Sequence, residues 1–312
     1  MFRIVQWSDT HHAEGVVNNT QSLMPTIPQV DIPVHCGDIV SDHYPEDIGA
    51  FDPTGSTCVI GNHDALDVSG TNPNGYEWYK QPSQEDLYNR YFSRMRTTFG
   101  LDMKPNTTWW SKEFADKGIL LLGLNDTALS ATFEAELAFV QERVAYAESK
   151  GLKIVVTLHG LLNMTTIVRC NFTSTTAETA EYPTERDAYT SAYANCGDNL
   201  MRPIVQSKCR VLLVISGHTH FDAFGTITRT DSSKIPHVII GSGLPDQYND
   251  VARGNATRTS FVVCNMIDYV PEMESLRVYR LGADATYRGV SRKMLTFSYG
   301  DNRIVSSCGV RN

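Results

Sequence analysis

Residues 210–220 read RVLLVISGHTH. Five consecutive apolar residues, Val211 to Ile215, have the length of a strand buried on both faces and are too few for a buried helix. The run then stops at Gly217 and delivers two imidazoles, His218 and His220. In open α/β sheets ligands bind just outside the carboxyl ends of parallel strands, so a buried strand ending in metal-type residues marks both a layer and a site.

The same grammar recurs along the chain. FRIVQWS (2–8) runs into Asp9-Thr10-His11, IPVHC (32–36) into Gly37-Asp38, and TCVI (57–60) into Gly61-Asn62-His63-Asp64. KIVVTL (153–158) runs into His159-Gly160, and a sixth run, ILLLGL (119–124), carries no flagged ligand. Five strands thus present ligand-type groups at one end, and the sheet rule expects them to share a crevice. Helices are expected between strands: 132–150 places Leu137, Val140, Val144 and Ala147 on one face, with Thr132 as N-cap and Gly151 as stop. Residues 83–99 open with Ser83 and Asp86, close to a capping box, and carry Leu87, Tyr91 and Met95 together. Strands at 237–241, 260–268, 275–281 and 293–299 follow without helical period and suggest an antiparallel meander. The expected organisation is one domain over 1–312, with an insertion and candidate cap at 163–200 and a strand-rich portion at 236–312.

The clustered groups specify chemistry. Asp9, Asp38, Asn62, His11, His159, His218 and His220 form a mixed oxygen and nitrogen set without thiolate, suited to Mn, Fe, Zn or similar divalent ions. Seven ligands are too many for one ordinary site, so two metal ions are expected, with a carboxylate as bridge. A metal-bridging hydroxide would then attack phosphorus in line. His35, His43 and His237 are read as surface or core hydrogen-bonding histidines and stay out of the site.

This ordered series, Asp9-x-His11, Gly37-Asp38, Gly61-Asn62-His63-Asp64, His159 and Gly217-His218-x-His220, resembles the full motif set of the calcineurin-like metallophosphoesterases. The resemblance covers about residues 7–220. It implies a four-layer α/β/β/α sandwich and a metal-dependent phosphoesterase. It further implies that Asp9, His11, Asp38 and His220 hold one metal and Asp38, Asn62, His159 and His218 the other. His63 becomes the catalytic group beside the leaving oxygen, with Asp64 orienting its ring. Ser41 stands where purple acid phosphatases carry a tyrosine, and Ala65, Leu66 and Asp67 stand where an arginine would suggest a protein phosphatase. The pattern is closest to bacterial-type or phage-type enzymes acting on small phosphodiesters, cyclic nucleotides included. A phosphomonoesterase or nucleotidase is the alternative. The tail from Arg277 to Tyr299 resembles calcineurin-like proteins encoded near phage tail genes, which adds a particle-associated binding module as a further alternative.

Composition narrows the field. With 41% apolar and 20% charged residues the 312-residue chain is globular, and its net charge of −8 disfavours a nucleic-acid partner. No apolar run approaches the ~20 residues of a membrane span. Seven cysteines without a CxxC pair are read as reduced thiols. A start lacking a signal-peptide pattern suggests a cytoplasmic protein, while six N-x-S/T sequons, at Asn18, Asn106, Asn125, Asn163, Asn171 and Asn255, leave an exported or virion-associated one open. Oligomeric state is not readable from the sequence.

Overall fold

The computed structural model describes residues 1–10, 24–39, 51–65, 83–127, 130–168, 188–218, 223–240, 263–282 and 290–311. Short, β-branched apolar runs form parallel strands at the centre of two seven-stranded mixed sheets. In the first sheet β1 (Phe2–Trp7), β2 (Ile32–His35) and β3 (Thr57–Cys58) are parallel. On the other side of β1 come β11 (Val263–Val270), β12 (Ser275–Gly282), β13 (Val290–Ser298) and β14 (Arg303–Arg311), the expected antiparallel meander. The second sheet has β5 (Ile119–Gly123), β6 (Lys153–Thr157), β8 (Val211–Ser216) and β10 (Lys234–Ile239) in parallel. Antiparallel β4 (Trp110–Phe114) forms one edge, and β9 (Ala223–Thr228) and β7 (Thr165–Val168) close the other.

Alternation along the strands assigns the layers. On β5, Ile119 and Leu121 belong to the core shared by the two sheets, whereas Leu120 and Leu122 join a second core. That second core is completed by Val140, Val144 and Ala147 of α4 (Ser130–Lys150) and Leu200, Met201 and Ile204 of α5 (Ala188–Gln206). The outer face of the first sheet is covered by the helical stretch α2 (Gln84–Leu87), a π turn (Tyr88–Phe92) and α3 (Ser93–Phe99), through rings passing from Trp7 to Phe51 to Tyr91. The layers are therefore α/β/β/α. The capping box at Ser83 forms as expected: its Oγ accepts from Asp86 N–H at 3.1 Å, and Asp86 accepts from Ser83 N–H at 3.0 Å.

Polar groups lock sheet to sheet. The Gln6 amide, buried on β1, donates to the carbonyls of Ser216 (2.8 Å) and Val238 (3.1 Å) in the second sheet. Trp110 on edge strand β4 donates its indole N–H to the Cys58 carbonyl on β3 at 2.8 Å. Replacing Trp110 by Phe strands that carbonyl and should cost about 1–3 kcal/mol of unfolding free energy, read from denaturant melts with unchanged m-value.

The structure revises several boundaries. The long helix begins at Ser130, two residues before Thr132, although Gly151 ends it as expected with a left-handed φ of 65°. Within the stretch 163–200, Thr165–Val168 pairs with β9 as an edge strand and α5 opens at Ala188. Residues 169–187 of the candidate cap, and the loop at 67–82, lie outside the described residues. The strand-rich portion is also divided, β10 joining the second sheet and β11 to β14 the first.

Candidate metal centre

All five ligand-bearing strands are parallel members of their sheets, so their carboxyl ends meet at one rim. Three come from the first sheet and two from the second. The turns at the strand ends are unusual: Asp9 (φ 52°), Asp38 (φ 54°) and His218 (φ 68°) all adopt the left-handed region. Aspartate and histidine are among the non-glycine residues that tolerate it best, and such conformations cost roughly 1–3 kcal/mol, so they persist where surrounding contacts impose them. Here the contacts are visible. Asp9 N–H donates to Gly37 O at 3.0 Å, Gly217 N–H donates to His159 O at 3.0 Å, and both Asp9 oxygens accept from His218 N–H at 3.1 and 2.9 Å.

Two motif glycines are fixed by close approach. A Cβ on Gly61 would lie 2.2 Å from both the main-chain nitrogen and Oδ1 of Asp38, and one on Gly217 would lie 1.9 Å from Ser8 Oγ and 2.4 Å from Asp9 Oδ2. Any side chain there pushes the Asp38 or Asp9 loop off the rim.

At the centre stands His159, buried on the loop after β6. Its Nδ1 lies 2.7 Å from the Cys36 carbonyl and donates to it, which leaves Nε2 with a lone pair directed inward in the neutral ring. Around Nε2 lie Asn62 Oδ1 at 3.0 Å, His218 Nδ1 at 3.1 Å and Asp38 Oδ2 at 3.3 Å. A divalent ion bound at ~2.1 Å sets adjacent ligand atoms ~3.0 Å apart. The observed spacings are those of a coordination edge, and the donor atoms of Asp38, His159 and His218 all fall within 4.8 Å of one another. Electrostatics agree. Burial pulls the His159 imidazole toward neutrality, but Asp38, with Asp9 and Asp126 behind it, outweighs burial and holds its pKa up at about 10. The local field favours positive charge at this point, which a metal cation satisfies as a proton would.

Of the residues expected in the site, Asp38, Asn62, His159 and His218 are brought together, and Asp9 is buried against the main chain of His218. His11 and His220 lie outside the described residues. His63 follows Asn62 on the single turn α1 (Asn62–Ala65), half-buried, with its N–H donating to Asp38 Oδ1 at 2.8 Å. Asp64 accepts from Ile39 N–H at 3.0 Å and Gly61 N–H at 2.9 Å, so its carboxylate joins the second and third motif loops.

Two supporting residues were not flagged by the sequence as part of the site. His35 is buried, accepts from Gly37 N–H at 3.2 Å through Nδ1 and lies 3.0 Å from Thr10 Oγ1 through Nε2, so it ties the first loop to the second. Asp126 follows β5 and accepts from the main chain of His159 and Gly160. The signal for Asp126 was present: it too follows the carboxyl end of a parallel strand. His237 is a core histidine, between Thr165 Oγ1 and Ser216 Oγ at 2.7 and 2.8 Å, with burial pushing its pKa down to about 3. Asn125 is also buried and donates to Thr108 Oγ1 at 2.7 Å, which removes its sequon as a glycan acceptor.

Comparison with known proteins agrees with this geometry. No match was found among curated protein sequences. The fold is similar to that of a dimetal phosphatase from Danio rerio, at 12% identity and a TM-score of 0.53, covering 96% of this chain and 99% of that one. It is also similar to PhoD, at 9% identity and a TM-score of 0.53, covering 100% of this chain and 72% of that one. The family model described as calcineurin-like phosphoesterase matches residues 2–222, a span that takes in every motif loop described above. The chain belongs to the calcineurin-like phosphoesterases and is a metal-dependent enzyme of phosphate-ester hydrolysis.

Proposed function

We propose that the protein hydrolyses small phosphodiesters, cyclic nucleotides among them, with two divalent ions, and that phosphomonoesters are poorer substrates. The observation that supports two ions is the position of Asp38: its Oδ2 lies 3.3 Å from His159 Nε2, and its loop is joined to the Asp9 loop through the Gly37 carbonyl, which accepts from Asp9 N–H at 3.0 Å. Asp38, Asn62, His159 and His218 would hold one ion, and Asp9, His11, Asp38 and His220 the other. Bound divalent ions supply Lewis-acid stabilisation of the phosphoryl oxygens and a water acidic enough to attack at neutral pH. The chain's own groups do the rest. His159, fixed by the Cys36 carbonyl, keeps Nε2 aimed inward, and the left-handed turns at Asp9, Asp38 and His218 prepay the ordering of the ligands. His63 hands a proton to the departing ester oxygen, its main chain held by Asp38. Among the described residues no helix is long and apolar enough to cross a membrane.

The test is metal analysis of the full chain followed by a panel of aryl and alkyl mono- and diesters and cyclic nucleotides. The expected result is about two equivalents of Mn, Fe or Zn, activity removed by chelation and restored by Mn, and diesters turned over faster than the matching monoesters. Faster monoesters would reassign the substrate class, and inertness with every divalent ion would overturn the proposal.

A further inference from the structure

The loop that carries His159 is shaped by a buried carboxylate outside the ligand set. Asp126 stands three residues beyond β5, the strand paired in parallel with β6, and its side chain is 1% exposed. Oδ1 accepts from the N–H of His159 at 3.1 Å, and Oδ2 accepts from the N–H of Gly160 at 2.6 Å. Two successive main-chain amides directed at one carboxylate form a small anion-binding concavity, which compensates charge that burial alone would make costly. The fit is close, since a Cβ on Gly160 would sit 2.6 Å from Asp126 Oδ2 and one on Gly197 of α5 would sit 3.6 Å from the same atom.

Asp126 is itself held from behind. The next residue upstream, Asn125, gives its N–H to the buried Glu136 of α4 at 2.6 Å and its amide nitrogen to Thr108 at 2.7 Å, while Thr127 N–H and Oγ1 return to Asn125 Oδ1 at 3.1 and 2.6 Å. A turn fastened at so many points cannot drift with the loop it holds. His159 meets the site through one imidazole whose aim is set by two anchors: Cys36 O on the ring and Asp126 on the main chain.

We infer that Asp126 is a positioning residue, whose carboxylate fixes the main chain of His159 so that Nε2 presents to the metal ion it shares with Asp38, Asn62 and His218. The inference rests on the two-metal reading above and adds to it the group that sets one ligand's orientation. Partners outside the ligand set typically contribute 10- to 100-fold in metal affinity. Asp126 acts on one of two ions, so its removal should separate them.

The experiment is Mn titration of the metal-free full-length chain, followed by calorimetry and by the electron paramagnetic resonance of the loaded protein. Wild type, Asp126→Asn and Asp126→Ala are compared, with thermal melts of each metal-free protein. Wild type should bind two ions and show an exchange-coupled pair. Asp126→Ala should retain one ion with affinity changed less than about threefold and bind the other 10- to 100-fold more weakly, its spectrum shifting toward isolated Mn at equal loading. Asp126→Asn keeps the shape and one acceptor and should fall between. Wild-type affinity for both ions in Asp126→Ala overturns the inference alone. So does equal weakening of both ions in step with a lowered melting temperature of the metal-free protein in both variants, the pattern of a merely structural residue. A wild type that binds no divalent ion overturns the two-metal reading and this inference with it.

Discussion

Replacing Asp38 by Ala is expected to abolish metal loading and turnover together. Asp38 faces His159 Nε2 from the first sheet at 3.3 Å, while its other oxygen holds the N–H of His63. Its loss removes a ligand from both proposed ion sites and loosens the turn that carries the proton donor. Metal-ion stabilisation of transition-state charge contributes several kcal/mol, and each ~1.4 kcal/mol is tenfold in rate, so kcat/KM should fall by at least about 10³-fold. Metal content measured by plasma emission should drop from about two equivalents toward none, with far-UV circular dichroism unchanged because the core residues of both sheets are untouched. Two retained ions in this variant would contradict the bridging assignment.

His63→Ala should behave in the opposite way: both ions stay while the rate collapses. The side chain lies beyond the main-chain amide that Asp38 holds, and it is not among the donor groups that gather within 4.8 Å. General-acid assistance contributes about 10²- to 10⁴-fold, and its value depends on how poorly the leaving group departs unaided. The loss should therefore be large for alkyl esters and small for nitrophenyl esters, whose phenolate needs little protonation. An equal loss for both ester types, with metal retained, would assign His63 to substrate positioning instead of proton transfer.

The centre of each sheet was readable because buried parallel strands leave continuous apolar runs, and Val211 to Ile215 or Ile119 to Leu122 cannot be mistaken for a loop. The site was readable for a related reason: a ligand at the end of such a run, as His159 or His218, has its place in space fixed by the strand before it. The edges were not. Trp110–Phe114 and Thr165–Val168 each join a single strand of the sheet, mix polar with apolar residues, and show no continuous apolar run. Thr165–Val168 was absorbed into the supposed insertion for that reason. Helix α5 was missed because Gly197, Asp198 and Pro203 interrupt its apolar period. Asp126 and His159 are 33 residues apart, and an Asn-Asp-Thr triplet reads locally as a turn, while His35, read as a surface or core hydrogen-bonding histidine, comes against Thr10 only through the pairing of β1 with β2.

The grip of Gln6 on the Ser216 and Val238 carbonyls has a mechanical reading. Asp9, Asp38 and Asn62 hang from one sheet and His159 and His218 from the other, so the gap between donor groups is gauged by the filling beneath them. Ile4, Val34 and Cys36 on one side and Leu121, Val155 and Leu213 on the other are the shims of a caliper whose jaws are the strand ends. Because such interiors are dense and nearly incompressible, a methylene added or removed far below the rim is expected to be transmitted upward as a changed jaw opening.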